Sequence, residues 1–151
     1  MTRAGGPGRG ALVFAVLSGL AAALSACTNE NPSLRFVSVV PPANTPISFS
    51  ADVQPIFTRS CAKSGCHAGA VLQQGLSLES GKSYALLVRV ASTEDPALKR
   101  VEPGRSDLSY LVKKLEGSGL GARMPADGPP FLPDAEVQLI KDWIDQGAPS
   151  N

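Results

Sequence analysis

The segment Ser60 to Ala70, SCAKSGCHAGA, contains two of the three cysteines of the chain and its single histidine. The second cysteine, Cys66, is followed directly by His67. Thiolate sulfur and imidazole nitrogen bind metals, and thiols also form disulfides and add to carbon. Four kinds of chemistry therefore come into question: a zinc site, a nucleophilic pair, a disulfide and a covalently attached haem.

Zinc and nucleophilic catalysis fit this pattern poorly. Structural zinc sites use four protein ligands and catalytic sites three, whereas Cys61, Cys66 and His67 supply three, two of them adjacent, so that Asp or Glu would have to be the fourth. A cysteine nucleophile needs a separate imidazole placed as its base, and a second nearby cysteine would oxidise it. A disulfide between Cys61 and Cys66 is ordinary for an exported protein, although it leaves His67 unexplained. That alternative stays open.

A covalently attached haem accounts for all three residues. In this type of attachment two cysteine sulfurs bind the vinyl groups, and the histidine after the second cysteine reaches the iron, usually in a C-x-x-C-H pattern. The segment from Cys61 to His67 is a longer variant, C-x(4)-C-H. Ser64 and Gly65 make the necessary bulge feasible, because glycine adopts backbone angles closed to other residues.

A second axial ligand can be sought among the methionines, which occur only at positions 1 and 124. Met124 lies in ARMPADGPP, an irregular segment before the last predicted helix, whereas a core-filling methionine usually lies on a helix stripe. Ligation by both His67 and Met124 would leave no coordination site for substrate, which favours electron transfer. A labile Met124 would instead give an enzyme or sensor for peroxide or a gas, although the chain has no second histidine to assist peroxide chemistry.

The N-terminus indicates export. Arg3 and Arg9 precede an apolar run, ALVFAVLSGLAAAL, that is too short to span a bilayer comfortably and is typical of a signal peptide. The run leads into LSAC, which resembles a bacterial lipobox ending at Cys27; the alternative is an ordinary secretory signal with a stray cysteine. We expect a signal peptide over residues 1–26, and a lipidated Cys27 that begins a flexible tether over residues 27–48.

Composition limits the remaining choices. The chain is 43% apolar and 18% charged with a formal net charge of +1, which is typical of a soluble globular protein and gives no indication of nucleic-acid binding. Its 13 prolines, 15 glycines and 5% aromatic residues indicate short elements, long irregular loops and a thin core. Such a core often requires a disulfide, a metal or a cofactor.

The elements that position these residues are predicted to be helices. One begins at a cap on Ser50 or Asp52 and runs into Cys61, and others cover residues 83–90, 106–117 and 133–147. The predicted apolar faces are Val53, Ile56 and Phe57; Leu108, Leu111, Val112 and Leu115; and Val137, Ile140, Trp143 and Ile144. From these faces we expect the haem to contact Phe57, Leu108, Leu111, Ile140 and Trp143.

Phe49 to Ala148 resembles the cytochrome c-like domains of bacterial lipoproteins and planctomycete-type cytochrome c domains. The similar pieces, in order, are DVQPIF, CAKSGCH, GLSLESG, VEPGRSDLSYLVKKL, RMP and WIDQGA. The resemblance implies an all-α monohaem domain over residues 49–148, in which Cys61 and Cys66 hold haem c through thioethers, His67 is the proximal ligand and Met124 the distal one.

The resemblance also implies a one-electron carrier that faces the periplasm and exchanges electrons with redox partner proteins at an exposed haem edge. Thr28, in place of Asp after the lipidated Cys27, resembles the sorting signal for the outer membrane. We therefore expect a lipid-anchored protein at that membrane.

Overall fold

The computed structural model describes residues 45–151. The predicted signal peptide, Cys27 and the tether up to residue 44 lie outside the described residues. The described part contains four α-helices, and its pairing outside helices consists of isolated bridges rather than strands, in agreement with the all-α prediction. None of these helices is long and apolar enough to cross a membrane. They are α1 (Gln54–Ser60), α2 (Ser83–Leu87), α3 (Tyr110–Glu116) and α4 (Asp134–Asp145).

A π-helical segment, Phe49–Val53, precedes α1 and continues into it. Its cap is Ser48, whose hydroxyl accepts a hydrogen bond from the Ala51 N–H, while the Asp52 carboxylate accepts one from the Ser48 N–H. The predicted cap at Ser50 or Asp52 is therefore wrong, because this reciprocal pair satisfies the free N–H groups earlier in the chain.

The domain is packed from Ile47 onward and closes on its C-terminus. Ile47 is buried, and its N–H donates to Gln146 Oε1 at 2.9 Å. The Ser50 N–H donates to the carbonyl of Asn151 at 2.8 Å. Ile47 and Asn151, which lie just outside the predicted 49–148 range, thus also contact the packed part.

The core lies between α4, the π-helical segment and α1. The predicted inner face of α4 is confirmed, since Val137, Ile140, Trp143 and Ile144 are all buried. Trp143 is inaccessible to solvent, and its Nε1–H donates to the Pro149 carbonyl at 3.0 Å. The apolar face of α1, formed by Val53, Ile56 and Phe57, packs into the same core as predicted.

α3 differs from its prediction at the N-terminal end. A short 3₁₀ turn occupies Ser106–Leu108, and α3 begins only at Tyr110. Ser106 does not cap α3, because its N–H and hydroxyl both donate to the Asp145 carboxylate at 2.8 Å. Leu108 is 39% exposed and leaves the predicted apolar stripe, whereas Val112 and Leu115 are buried as expected.

α2 ends at Leu87, earlier than the predicted 83–90 range. The chain becomes extended at Val88 and pairs with a later segment, since the Arg89 N–H donates to Val101 at 2.9 Å and the Arg100 N–H donates to Val90 at 2.7 Å. This pairing replaces the last predicted turn of α2. It also places Arg100 next to α2, where its side chain donates to the Leu86 carbonyl.

Gly117 ends α3 as predicted, with a left-handed φ of 83°. A Cβ at this position would lie 3.2 Å from Cδ of Arg123, whereas a Cβ at Gly81, with φ of 80°, would have no atom within 4 Å. Gly81→Ala should lower the free energy of unfolding by about 1–2 kcal/mol through backbone strain alone. Gly117→Ala should cost more, because it also displaces Arg123. Chemical denaturation measures the free energy of unfolding of both variants. An equal decrease in the two would show that the contact between the new Cβ and Arg123 has no energetic effect.

Candidate functional site

A cavity of about 360 Å³ lies between the Cys61–His67 loop, α3 and the loop that contains Met124. Ligand pockets span about 300–1,000 Å³, so this cavity is large enough to hold a ligand. Its wall is mostly apolar. Cys61, Cys66, His67 and Met124 all line it. The structure thus brings together four residues that the sequence separates by up to 63 positions.

His67 is held by two hydrogen bonds to the extended segment over residues 76–78. Its Nδ1 lies 3.0 Å from the Leu76 carbonyl, and its own carbonyl accepts the Leu78 N–H at 2.8 Å. A carbonyl oxygen only accepts, so Nδ1 must carry the proton and Nε2 of the neutral ring keeps its lone pair. This tautomer is the one that metal-binding histidines use when a backbone carbonyl orients them.

The segment behind His67 is itself held by α1. Gln54, buried on that helix, donates from Nε2 to the Leu78 carbonyl at 3.0 Å and pairs through Oε1 with the hydroxyl of Ser83. A buried amide with partners on both ends stays in one orientation, because losing either bond would leave a desolvated polar group. Through Leu78, the backbone of His67 is thereby linked to Gln54 on α1 and to Ser83 on α2.

The two cysteines are free and differ in exposure. Cys61, at the end of α1, is half-buried, whereas Cys66 is exposed. Burial raises the pKa of the Cys61 thiol to about 11, against a smaller lowering by the nearby Lys63 ammonium. Gly65 has a φ of 77°, which is the unusual backbone conformation predicted for the bulge between the cysteines.

Met124 is held at the C-terminal end of α3. Its N–H donates to the Lys114 carbonyl at 2.9 Å, and Nε of the preceding Arg123 donates to the Leu115 carbonyl at 2.7 Å. The Arg123 guanidinium also lies 4.2 Å from the centroid of the Phe131 ring. The last carbonyls of a helix have no partners within it, so they can anchor an adjoining loop. The irregular segment around Met124 is therefore ordered by α3.

Arg100 is a functional candidate that the sequence did not reveal. It lines the cavity, is only 8% exposed, and donates from its two terminal nitrogens to the carbonyls of Leu86 (2.9 Å) and Gln74 (2.7 Å). Within residues 45–151 it forms no ion pair with a carboxylate. Burial lowers its pKa. A buried guanidinium without an acidic partner favours a ligand that carries a carboxylate.

The other charged groups of the wall neutralise one another. Glu94 accepts from the Tyr110 hydroxyl at 2.8 Å and from the Lys114 ammonium at 3.0 Å, and Lys114 also donates to the Leu120 carbonyl at 2.6 Å. Burial acts to raise the pKa of Glu94, but the hydrogen bonds from Lys114 and Tyr110 lower it overall. The pairing leaves Arg100 as the uncompensated charge of this cavity wall.

The apolar lining differs from the predicted one. Of the five residues expected around the ligand, Leu111 lines the cavity, whereas Phe57, Ile140 and Trp143 belong to the core behind it and Leu108 faces solvent. The inner faces of α1 and α4 belong to the hydrophobic core, where α4 packs against the π-helical segment and α3, and are therefore unavailable to the cavity. The leucines that line it instead are Leu76, Leu78, Leu87 and Leu115.

No set of three or more His, Cys, Asp or Glu residues is arranged as an ion-binding group within residues 45–151. Comparisons with protein-family models, with curated proteins and with solved structures find no match to this chain.

The burial of Cys61 predicts slow thiol chemistry in the haem-free protein starting at Thr28. In a Cys66→Ser variant, which retains Cys61, alkylation at pH 8 should be roughly 100-fold slower in the folded protein than in denaturant. A pKa raised by two units leaves about one hundredth of the thiolate, and the rate should rise tenfold per pH unit toward pH 11. A Cys61→Ser variant, which retains the exposed Cys66, is the control. Equal rates for folded and denatured Cys61 would contradict the burial.

Proposed function

We propose that the domain is a monohaem c-type cytochrome that carries single electrons. The observation that carries this proposal is the meeting of Cys61, Cys66, His67 and Met124 at one cavity, with His67 held in the tautomer that leaves Nε2 free to bind a metal. We further propose that it is an electron carrier rather than an enzyme, because two axial protein ligands leave no coordination site for a substrate.

The residues of the cavity fit haem c in several respects. Two thiols and the imidazole belong to one loop, and the thioether of Met124 comes from another loop. The wall between them is mostly apolar, as a porphyrin requires, and the buried Arg100 cation suits the carboxylate groups that haem carries. In this proposal Cys61 and Cys66 form the two thioethers, His67 is the proximal ligand and Met124 the distal one.

When bound, haem supplies the one-electron change of its iron, and the residues of the chain determine how easily that change occurs. His67 and Met124 would hold the iron, and this pair of ligands would raise its reduction potential relative to harder donors. The leucines of the wall exclude water, and Arg100 adds a positive charge close by. Both effects disfavour the additional positive charge of the oxidised iron. They would therefore raise the reduction potential, as ligation by methionine does.

Membrane attachment is the second part of the proposal. The lipobox-like LSAC segment supports lipidation of Cys27 after removal of residues 1–26, and Thr28 supports sorting to the outer membrane, with the domain facing the periplasm. Two or more acyl chains anchor a protein stably, whereas one chain does not. Partner redox proteins would approach the rim of the cavity where Cys66 is exposed, and the near-neutral composition gives no reason to expect a nucleic-acid partner.

The decisive experiment is an absorption spectrum of the soluble form that starts at Thr28, produced in a periplasm with haem-attachment machinery. We expect haem that remains with the chain after denaturation, because thioether bonds survive unfolding, together with a weak methionine-to-iron band in the oxidised native protein. A colourless protein without free thiols would contradict the proposal and would instead indicate the haem-free lipoprotein with a Cys61–Cys66 disulfide.

The ligand assignments have separate tests. Met124→Leu preserves the apolar volume but removes the sulfur, so covalent haem should remain while the methionine band disappears and the iron becomes high-spin or binds water. His67→Ala should abolish the low-spin spectrum. Leu111→Ala, which trims the same cavity without removing a ligand, is the matched control and should retain the band. An unchanged spectrum in Met124→Leu would show that another group is the distal ligand.

A further inference from the structure

Two ion pairs flank Cys61 and cross to a later part of the chain. Arg59 Nη2 lies 2.8 Å from Glu136 Oε1, and Lys63 Nζ lies 2.6 Å from Asp127 Oδ2. Each base is two residues from Cys61, on opposite sides of it. Both acids follow Met124: Asp127 lies in the same loop, and Glu136 lies in the first turn of α4. The Met124 loop and the first turn of α4, which follows it, are thus each joined to a residue close to Cys61.

Lys63 is well placed for this contact because its backbone is fixed. Its N–H donates to the Cys61 carbonyl at 2.8 Å, and its own carbonyl accepts N–H groups from Cys66 (3.0 Å) and Ala68 (3.1 Å). It is one of four residues between the cysteines, where the usual attachment pattern has two. The hydrogen-bonded turn between the cysteines therefore directs the Lys63 ammonium group toward the Met124 loop.

The loop after Met124 has little other support on this side. Over residues 125–131 the backbone–backbone hydrogen bond of the described chain is internal, from the Gly128 N–H to the Pro125 carbonyl at 3.1 Å. The anchors described above, from Met124 and Arg123, run to α3 on the opposite side of the loop. Apart from apolar packing against the core, the contacts of the loop and of the adjoining start of α4 with the Cys61 side are the two ion pairs.

We propose that Lys63–Asp127 and Arg59–Glu136 are positioning pairs that hold Met124 across the cavity from His67. They would thereby set the fraction of molecules in which Met124 is bound to the iron. This inference rests on the proposed haem function. It assigns a role to Lys63, one of the four residues between the cysteines.

The expected effect is local rather than global. Exposed ion pairs contribute little to the stability of a whole protein, and Lys63 and Asp127 are 47% and 59% exposed. The opening of one loop is a smaller equilibrium, in which a modest contribution changes the open fraction measurably. An added ligand such as imidazole binds only when Met124 has left the iron, so its apparent affinity rises in proportion to that open fraction.

The test uses the haem-loaded soluble protein starting at Thr28 and titration with imidazole. Lys63→Gln and Asp127→Asn should each increase the apparent affinity about twofold to fivefold, the range for coupling in exposed pairs, and the double variant should show no further increase. Salt should produce a similar increase in the unaltered protein. Arg59→Gln should have a larger effect, because Glu136 Oε2 is buried without a partner in the described chain and the carboxylate would lose Arg59 as well.

Lys141→Gln is the matched control. It removes another exposed pair, Lys141–Glu116 at 2.9 Å, which joins α4 to α3 and does not line the cavity. It should leave imidazole affinity unchanged, and Lys63→Gln, Asp127→Asn and Lys141→Gln should have similar unfolding midpoints. A second readout is hydrogen exchange of the Met124 amide, which should accelerate in Lys63→Gln and not in Lys141→Gln.

The outcomes separate the two proposals. If the unaltered protein carries covalent haem with methionine ligation, but Lys63→Gln matches Lys141→Gln in imidazole affinity and in Met124 amide exchange, the positioning role is overturned and the cytochrome function stands. If the unaltered protein carries no covalent haem, the proposed function fails, and the assignment of Met124 positioning at an iron fails with it.

Discussion

The described domain depends on the packing of Trp143 against aromatic residues from the beginning of the fold. The centroids of Trp143 and Phe49 are 5.1 Å apart, Phe49 and Tyr84 are 5.2 Å apart, and the Tyr84 hydroxyl donates to the Ala148 carbonyl at 2.8 Å. One cluster thus joins the π-helical segment, α2 and the end of α4. Aromatic side chains bury the largest areas in a core, which matters in a domain with few of them.

This packing determines where the cavity can lie. Since the inner faces of α1 and α4 are buried in the core, what these helices contribute to the site comes from their ends. α1 delivers Cys61 at its C-terminus, and α4 begins where the Met124 loop ends. α3 forms the remaining wall and anchors the loop through its last carbonyls. The site is therefore built mainly from irregular chain, each piece of which is tied to the end or the side of a helix.

Prediction from sequence succeeded where the determining interactions are local. The buried face of α4 follows from its helical periodicity, and the end of α3 follows from Gly117, since both depend on residues within one or two turns. It failed where distant segments compete. The pairing of residues 88–90 with 100–101 shortens α2, and the engagement of Ser106 by Asp145 delays the start of α3. In both cases the interacting residue lies outside the few helical turns that a prediction from local sequence considers.

The same distinction applies to the cavity. Cys61, Cys66, His67 and Met124 were identified from residue type and spacing, because few residue types perform their chemistry and each is rare in this chain. Arg100 was not, since arginine is ordinary on a surface, and only the pairing that follows α2 places it in a buried wall. Its charge has no acidic partner among the described residues, and a buried cation of this kind is costly unless a ligand compensates it. The buried cation therefore favours an anionic ligand independently of the cysteine motif, and the proposed haem, which carries carboxylate groups, would satisfy both.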